Sequence, residues 1–383
     1  MTENRKKSSL KTLITKERGF LIAVIIFIFL PIIINIFTGS GLNEGVTKYW
    51  EGQLIVFFIM AVLAMSYDLL FGYSGILSFG HAAFFGGGAY TMALLITHWG
   101  PAFTSKYQIT LPGGTDITGG FVFVVALSAS ALVSLLIGLL FSATSSRLKG
   151  AYFAMLTLAL AEAIHIISKA TDFVKWTGAD EGLHGVPVPA WINPTQFRFR
   201  FYFIALAFMV ISYLILRRFT NSPTGRVIIA TRENENRMRM IGYNPVTYRT
   251  IAFLVSSLFA GLAGALYSLW NMSATPSMTS TVTTINVLIM VILGGMGTLI
   301  GPILGAGLMQ TLSLVLYDWF GARWPLVFGA IFILIVLFFP YGIVGTWMLQ
   351  KPKIQEGWQR FRKIFQKKGV KTAKSEWDDP SPR

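Results

Sequence analysis

Cysteine does not occur in this 383-residue chain, which rules out disulfide bonds and thiolate metal sites. Histidine is scarce as well, with four scattered residues and none in an HExxH or paired spacing, so no metal site is expected. The phosphate-loop pattern GxxxxGK[ST] is missing, and SRLKGAY at 146–152 does not supply one. Charge is thin too: 13% of residues are charged against 54% hydrophobic. A metalloenzyme, a disulfide scaffold and a self-contained nucleotide motor are excluded, and a multi-spanning membrane protein is the class that remains.

A bilayer crossing needs ~20 apolar residues. Ten stretches qualify or nearly so: 20–38, 52–71, 80–98, 120–142, 151–168, 201–216, 250–270, 284–300, 303–317 and 324–348. The expected fold is therefore all-α and polytopic, with about ten transmembrane helices (8–10). The pair 284–300 and 303–317 is short and joined by GGMGTLIGP, so one re-entrant hairpin is the alternative there. The first apolar run begins at Phe20 and lacks a small-residue cleavage pattern, which reads as a retained span rather than a signal peptide.

A net charge of +15 invites a nucleic-acid reading, but the distribution opposes it. With the N-terminus inside, ten spans put 25 of the 32 Lys and Arg on the cytoplasmic side: six in 1–19, two in 143–150, seven in 217–249 and ten in 349–383. That is the positive-inside bias, so both termini are expected in the cytoplasm and no nucleic-acid partner is implied. The chain divides accordingly into a basic leader (1–19), a permease-like membrane region (20–348) with a large inside loop (217–249), and a basic tail (349–383). In the tail, Trp358, Phe361 and Phe365 have the spacing of a short interfacial helix; a solvated tail with a disordered end is the plainer reading.

The inside loop carries helix signals. Asn221 and Ser222 are cap residues, Pro223 suits a first turn, and Gly242 with Pro245 marks a stop, so a helix of roughly four turns is expected near Thr224–Ile241. Such a helix suits either a groove on a partner protein or the anionic leaflet. On the outer side, Pro101, Pro112 and Gly113-Gly114 mark turns in 99–119, and KWTGADEGLHGVPVPAW within 169–200 has the texture of a structured loop.

The densest signal is GYSGILSFGHAAFFGGG at 72–88, glycine-rich where Leu or Val would serve a plain span. A faint echo follows at Gly294, Gly297, Leu299 and Gly301, and paired Gly-interrupted spans in two halves point to a midplane path. Gly72, Ser74, Gly75, Ser78, Gly80 and His81 are path candidates in the first segment, with Phe84 and Phe85 as an apolar gate. Gly294, Gly295, Gly297 and Gly301 are the candidates in the second. Close helix packing explains the same glycines and aromatics without any role in transport. Asp68 and Glu162 are ionisable residues inside spans, and Glu162 lies three positions from His165, so a carboxylate–imidazole pair is feasible. They read either as a proton relay or as contacts between neighbouring helices.

Six blocks then carry a resemblance: GYSGILSFGHAAFFGGGAY, YFAMLTLALAE, TGADEGL, TRENE with IGYN, FAGLAGALY and VILGGMGTLIGPILGAG. In this order they resemble the M-type permease subunits of ATP-binding-cassette importers for branched-chain amino acids, from about Trp50 to Trp347. The resemblance implies a second, H-type permease, two cytoplasmic ATPase subunits that hold the ATP, a periplasmic or lipid-anchored solute-binding protein, surrounding membrane lipid, and a bacterial inner-membrane location. No cofactor is implied on this chain, and no enzymatic activity. The inside helix becomes a coupling helix to the ATPase, carried by Arg232, Glu233, Glu235, Arg239 and Gly242, while Arg237 and Met238 stand where relatives have small alanines. TGADEGL departs from a common double glycine after Thr177, so less backbone freedom is expected at Ala179.

The implied cargo is a branched-chain or other hydrophobic amino acid. Urea and short amides are the nearest alternatives, since related permeases with much the same motifs carry them. A proton-coupled secondary transporter using Asp68 and Glu162 is the competing class.

Overall fold

A computed structural model describes residues 18–39, 45–107, 118–145, 148 and 150–346. The basic leader, the tail with Trp358, Phe361 and Phe365, and the Pro112 and Gly113-Gly114 turns lie outside the described residues. What is described is almost entirely helical, as the apolar periodicity requires. Seven stretches are long and apolar enough to cross a membrane.

Among the described residues, beside two short helices at Gly100–Lys106 and Val174–Thr177, the fold is organised by α1 (Arg18–Thr38), α2 (Gly45–Asp68), α3 (His81–Leu94), α4 (Thr118–Ser145), α5 (Ala151–Lys169), α6 (Arg198–Thr220), α7 (Pro223–Glu233), α8 (Glu235–Met240), α9 (Pro245–Asn271), α10 (Thr281–Gly294), α11 (Ile300–Phe320) and α12 (Trp324–Phe338). Each of the ten apolar segments corresponds to one of them. The 284–300 and 303–317 pair is resolved unequally. Helix α10 has 14 residues, about 21 Å at 1.5 Å per residue, too short for a ~30 Å hydrocarbon core, whereas α11 with 21 residues is long enough.

Helix α2 is the central post. In its most apolar stretch 78% of residues are buried inside the chain, against 11% for α1. It packs against α6, α9, α10 and α11, while α9 packs in turn on α3 and α4. Those last contacts depend on small residues. A Cβ at Gly88 of α3 would run into the Gly261 backbone of α9, and one at Gly261 would run into Ser134 of α4. Close backbone approach of this kind replaces the hydrophobic drive that lipid removes.

The 169–200 loop, expected on the outer side, is structured, in keeping with its glycines and charges. Leu183 and His184 pair antiparallel with Ser273 and Ala274 beyond α9. One expectation is reversed here. Ala179 adopts a left-handed φ of 49°, the conformation a second glycine would suit, so the position needs more backbone freedom rather than less. The turn is closed locally, with the Ala179 N–H on Thr177 Oγ1 and its carbonyl accepting from Gly182 N–H, and it holds a residue whose Cβ resists that conformation by roughly 1–2 kcal/mol.

Replacing Ala179 by Gly is therefore expected to leave the thermal unfolding midpoint in detergent unchanged or slightly raised. Gly182→Ala, at φ 81° against the Ala274 carbonyl, is expected to lower it clearly. A midpoint that falls equally in both would reject the left-handed assignment at Ala179.

Candidate translocation and coupling site

Helix α2 does not end cleanly. It runs into a five-residue π-turn, Leu69–Tyr73, and then into the non-helical Ser74–Gly80 segment. A π-turn widens the helix and releases carbonyls from their ordinary partners. At its start stands Asp68, fully buried. Its Oδ1 accepts the Gly297 N–H at 2.7 Å and its Oδ2 the Leu299 N–H at 3.3 Å. Both donors belong to the tight turn between α10 and α11, where Gly295, Gly297 and Leu299 all take positive φ. Successive N–H groups in such a turn converge into a concavity that favours an anion, and here the anion is a side chain of the same chain.

The two glycine-interrupted segments therefore meet. A Cβ at Gly72 would strike the Asp68 carboxylate and the Gly297 N–H, so the absence of a side chain at Gly72 is what lets the turn dock. Arg232, from the end of α7, completes the junction. Its guanidinium donates to the Gly72 carbonyl, and its stem lies where a Cβ on Gly75 would come within 2.6 Å of Cγ. One junction thus joins the end of α2, the turn between α10 and α11, and the inside loop.

The remaining candidates in the first segment are stapled from several sides. Tyr67 Oη donates to the Ser78 carbonyl at 3.1 Å, and the Phe79 N–H donates to Thr157 Oγ1 of α5 at 3.1 Å. The first turn of α3 gains an acceptor from α10, with Ala82 N–H to Thr284 Oγ1 at 2.9 Å. His81 Nε2 lies 2.8 Å from Ser66 Oγ, and the ring meets Tyr67 and Phe84 edge-on. Ser74, Ser78, His81 and Phe84 are buried, and Phe84 packs edge-on against Phe141. Phe85 stacks obliquely on Tyr267 and borders a cavity. Gly80 caps α3, and Gly294 and Gly301 let α10 and α11 touch.

Glu162 stands apart from this cluster. It is exposed on α5 and accepts from Thr281 Oγ1 at 3.2 Å, while His165 Nδ1 lies 2.9 Å from Thr279 Oγ1. The carboxylate–imidazole pair is not formed, because each side chain finds its own hydroxyl at the start of α10 and the turn before it.

The inside loop also corrects an expectation: the four-turn helix is two helices. Asn234 is extended (φ −156°, ψ 96°) and its Oδ1 caps α8 by accepting the Arg237 N–H at 2.9 Å. Cap geometry outcompetes helix continuation at an Asn with a free side chain. Of the coupling candidates, Arg232 stays exposed while its guanidinium reaches the Gly72 carbonyl. Glu235 is clamped between Arg239 (2.7 Å) and Arg249 (2.9 Å). Glu233 and Gly242 are exposed. Met240 (87% exposed) and Ile241 (63%) project beside them, an apolar tip in a charged loop.

Residues 49–339 match the family described as the permease component of the branched-chain amino acid transport system. The high-affinity branched-chain amino acid transport system permease protein LivM of Salmonella typhimurium is 27% identical over 310 residues, 75% of this chain and 68% of that one. LivM of Escherichia coli is 26% identical over 310 residues, with the same shares. The probable LivM of Methanocaldococcus jannaschii is 26% identical over 319 residues, 76% of this chain and 92% of that one. No solved structure matches the chain.

Two substitutions test the junction. Asp68→Asn turns an acceptor into a donor against two N–H groups and is expected to destabilise by about 2 kcal/mol. Gly72→Ala forces carboxylate and turn apart and is expected to cost at least the ~1–3 kcal/mol of an overpacked core. Unchanged thermal midpoints for both purified variants would contradict the geometry described.

Proposed function

The chain belongs to the family of branched-chain amino acid transport permeases, and from that premise we propose how it works. It is the permease subunit of an ATP-binding-cassette importer, a transporter component rather than an enzyme. Its cargo is a branched-chain or other hydrophobic amino acid. The chain pairs with an H-type permease in the bacterial inner membrane, with both termini cytoplasmic. Two separate ATPase subunits supply the energy, and a solute-binding protein delivers the cargo from outside. The 20–348 region is the membrane permease proper, and 217–249 is its coupling loop.

The observation that carries the mechanism is the three-way junction. Helices α7 and α8 sit at the one loop rich in basic charge, and the last turn of α7 touches the π-turn through Arg232 and Gly72. A shift of the coupling loop on an ATPase surface is felt at Gly72, and through Asp68 at the turn between α10 and α11. Packed elements respond to such a shift as rigid bodies with discrete arrangements, which is what alternating access needs. Gly72, Gly75, Gly80, Gly294, Gly295, Gly297 and Gly301 then mark the boundaries of the parts that move. Ser74, Ser78 and His81 travel with the first segment. Glu233, Arg239 and Gly242, with the Met240–Ile241 tip, face the ATPase.

Nothing favours the proton-coupled reading. Asp68 is occupied by backbone N–H groups, and Glu162 bonds a hydroxyl well away from it.

The decisive experiment is uptake of labelled leucine, with urea as competitor, into proteoliposomes. They hold this chain, its partner permease and the ATPases, with binding protein added and a parallel sample holding the chain alone. ATP-dependent leucine uptake only in the full assembly is expected. Urea uptake there would change the cargo, and gradient-driven uptake by the chain alone would refute the importer mechanism. In the same assembly Arg232→Ala is expected to keep the ATPases bound on co-purification while lowering uptake more than tenfold; wild-type uptake would remove Arg232 from coupling.

A further inference from the structure

Two cavities lie against α2 and α11, separated by a hydrogen bond from Gln310 Nε2 to Gln53 Oε1 at 2.7 Å. One is an almost wholly apolar groove toward α1. The other has a volume of about 300 Å³ and lies between the middle of α2, the first half of α10, the second half of α11 and the far end of α9. It therefore lies toward the middle of the bundle, beyond the junction that Arg232 closes.

Its chemistry is particular. Four methionines line it, Met60, Met278, Met290 and Met309. Methionine is unbranched and polarizable, and adapts to side chains of differing shape. Facing them are uncharged polar groups, with Asn286 and Gln310 foremost, and no charged residue contributes to the wall. Gln310 is held by Gln53, but Asn286 makes no side-chain hydrogen bond among the described residues. Asn286 follows the three threonines of the first turn of α10 and precedes its apolar VLIMVIL run. Asn286 is half-buried, and its carboxamide is left to face the cavity. Small-molecule pockets run from roughly 300 to 1,000 Å³, and this one is at the lower bound, sized for a single small solute.

We propose that this cavity is a transient cargo site for one aliphatic amino acid. The methionine wall takes the side chain, and Asn286 meets the zwitterion, its amide NH₂ donating to the carboxylate and its carbonyl accepting from the ammonium. The proposal rests on the reading of the chain as an amino-acid permease. With no ion pair to the cargo, binding is weak enough to release it, as a conduction step demands.

The test uses the complete importer in proteoliposomes. Met290→Trp fills the cavity, and the ratio of leucine to alanine uptake is expected to fall at least tenfold while alanine still enters. A purely structural cavity would depress both equally, and that result, like an unchanged ratio, would overturn the site. Because the chain has no cysteine, Asn286→Cys gives it a single thiol. Leucine is expected to slow its labelling by a small thiosulfonate reagent at least fivefold, while urea does not. Labelling that is absent with and without leucine would mean that the second permease covers the position, and would overturn the proposal. It keeps the question answerable if Met290→Trp fails to insert. Absence of ATP-driven uptake of either amino acid by the unaltered assembly would overturn the importer reading and the site together, an outcome distinct from a selectivity that does not move.

Discussion

Backbone N–H groups inside a membrane protein have no water to turn to, and a turn that leaves several unpaired is costly by several kcal/mol each. The turn between α10 and α11 is such a place, with Gly295, Gly297 and Leu299 all left-handed. The Asp68 carboxylate resolves it by accepting two of those groups. The compensation is mutual: a buried carboxylate also needs donors, and the turn provides them without a counter-cation in direct contact. Neither partner is stable at that depth alone, which makes the pairing of the two glycine segments obligatory rather than incidental.

Consequences spread outward from that bond. Because the carboxylate lies across Gly72, that position cannot carry a side chain, and the Gly72 carbonyl is open on its other side to the Arg232 guanidinium. Beyond the π-turn the chain from Ser74 to Gly80 is irregular, and its polar groups are met by Tyr67 and Thr157. Thr284 then ties the start of α3 back to α10. A segment that reads as loose from its glycines is in fact held at each end and in the middle. Motion there is displacement of a stapled unit, not local flexing.

The legibility of these features in the sequence follows their range. Helix positions come from apolar runs, a local property, and every one of the ten runs is a helix. The break at Asn234 is also local, but a polar stretch offers no periodicity to interrupt, so the Asn cap was read through as helix. Glu162 and His165 share a helix face, yet the start of α10 supplies each with a hydroxyl from more than a hundred residues away. Spacing alone has no access to that competition. Ala179 differs for another reason: its left-handed turn is set by hydrogen bonds to Thr177 and from Gly182, and not by alanine's own preference. Of the coupling candidates, Arg232 looked like one more surface arginine, and only the fold brings it to Gly72. Asn286 carried a signal that went unweighed, a lone carboxamide at the start of an apolar run.

The distribution of charge gives the transport problem its form. A free amino acid is a zwitterion, and both ends are expensive to strip of water. Fixed partners of opposite sign would bind it firmly and hold it. In this chain the buried carboxylate nearest the glycine segments is already satisfied by its own backbone, and the mid-bundle cavity is lined by uncharged groups: carboxamides, hydroxyls, thioethers, aromatic rings and valines. Such groups can replace part of a hydration shell without matching the depth of an ion pair. Discrimination among cargoes inside the membrane then falls to volume and apolar contact, where one methylene is worth only ~1–3 kcal/mol. On the proposed importer reading, the demanding recognition of the solute then belongs upstream of this chain.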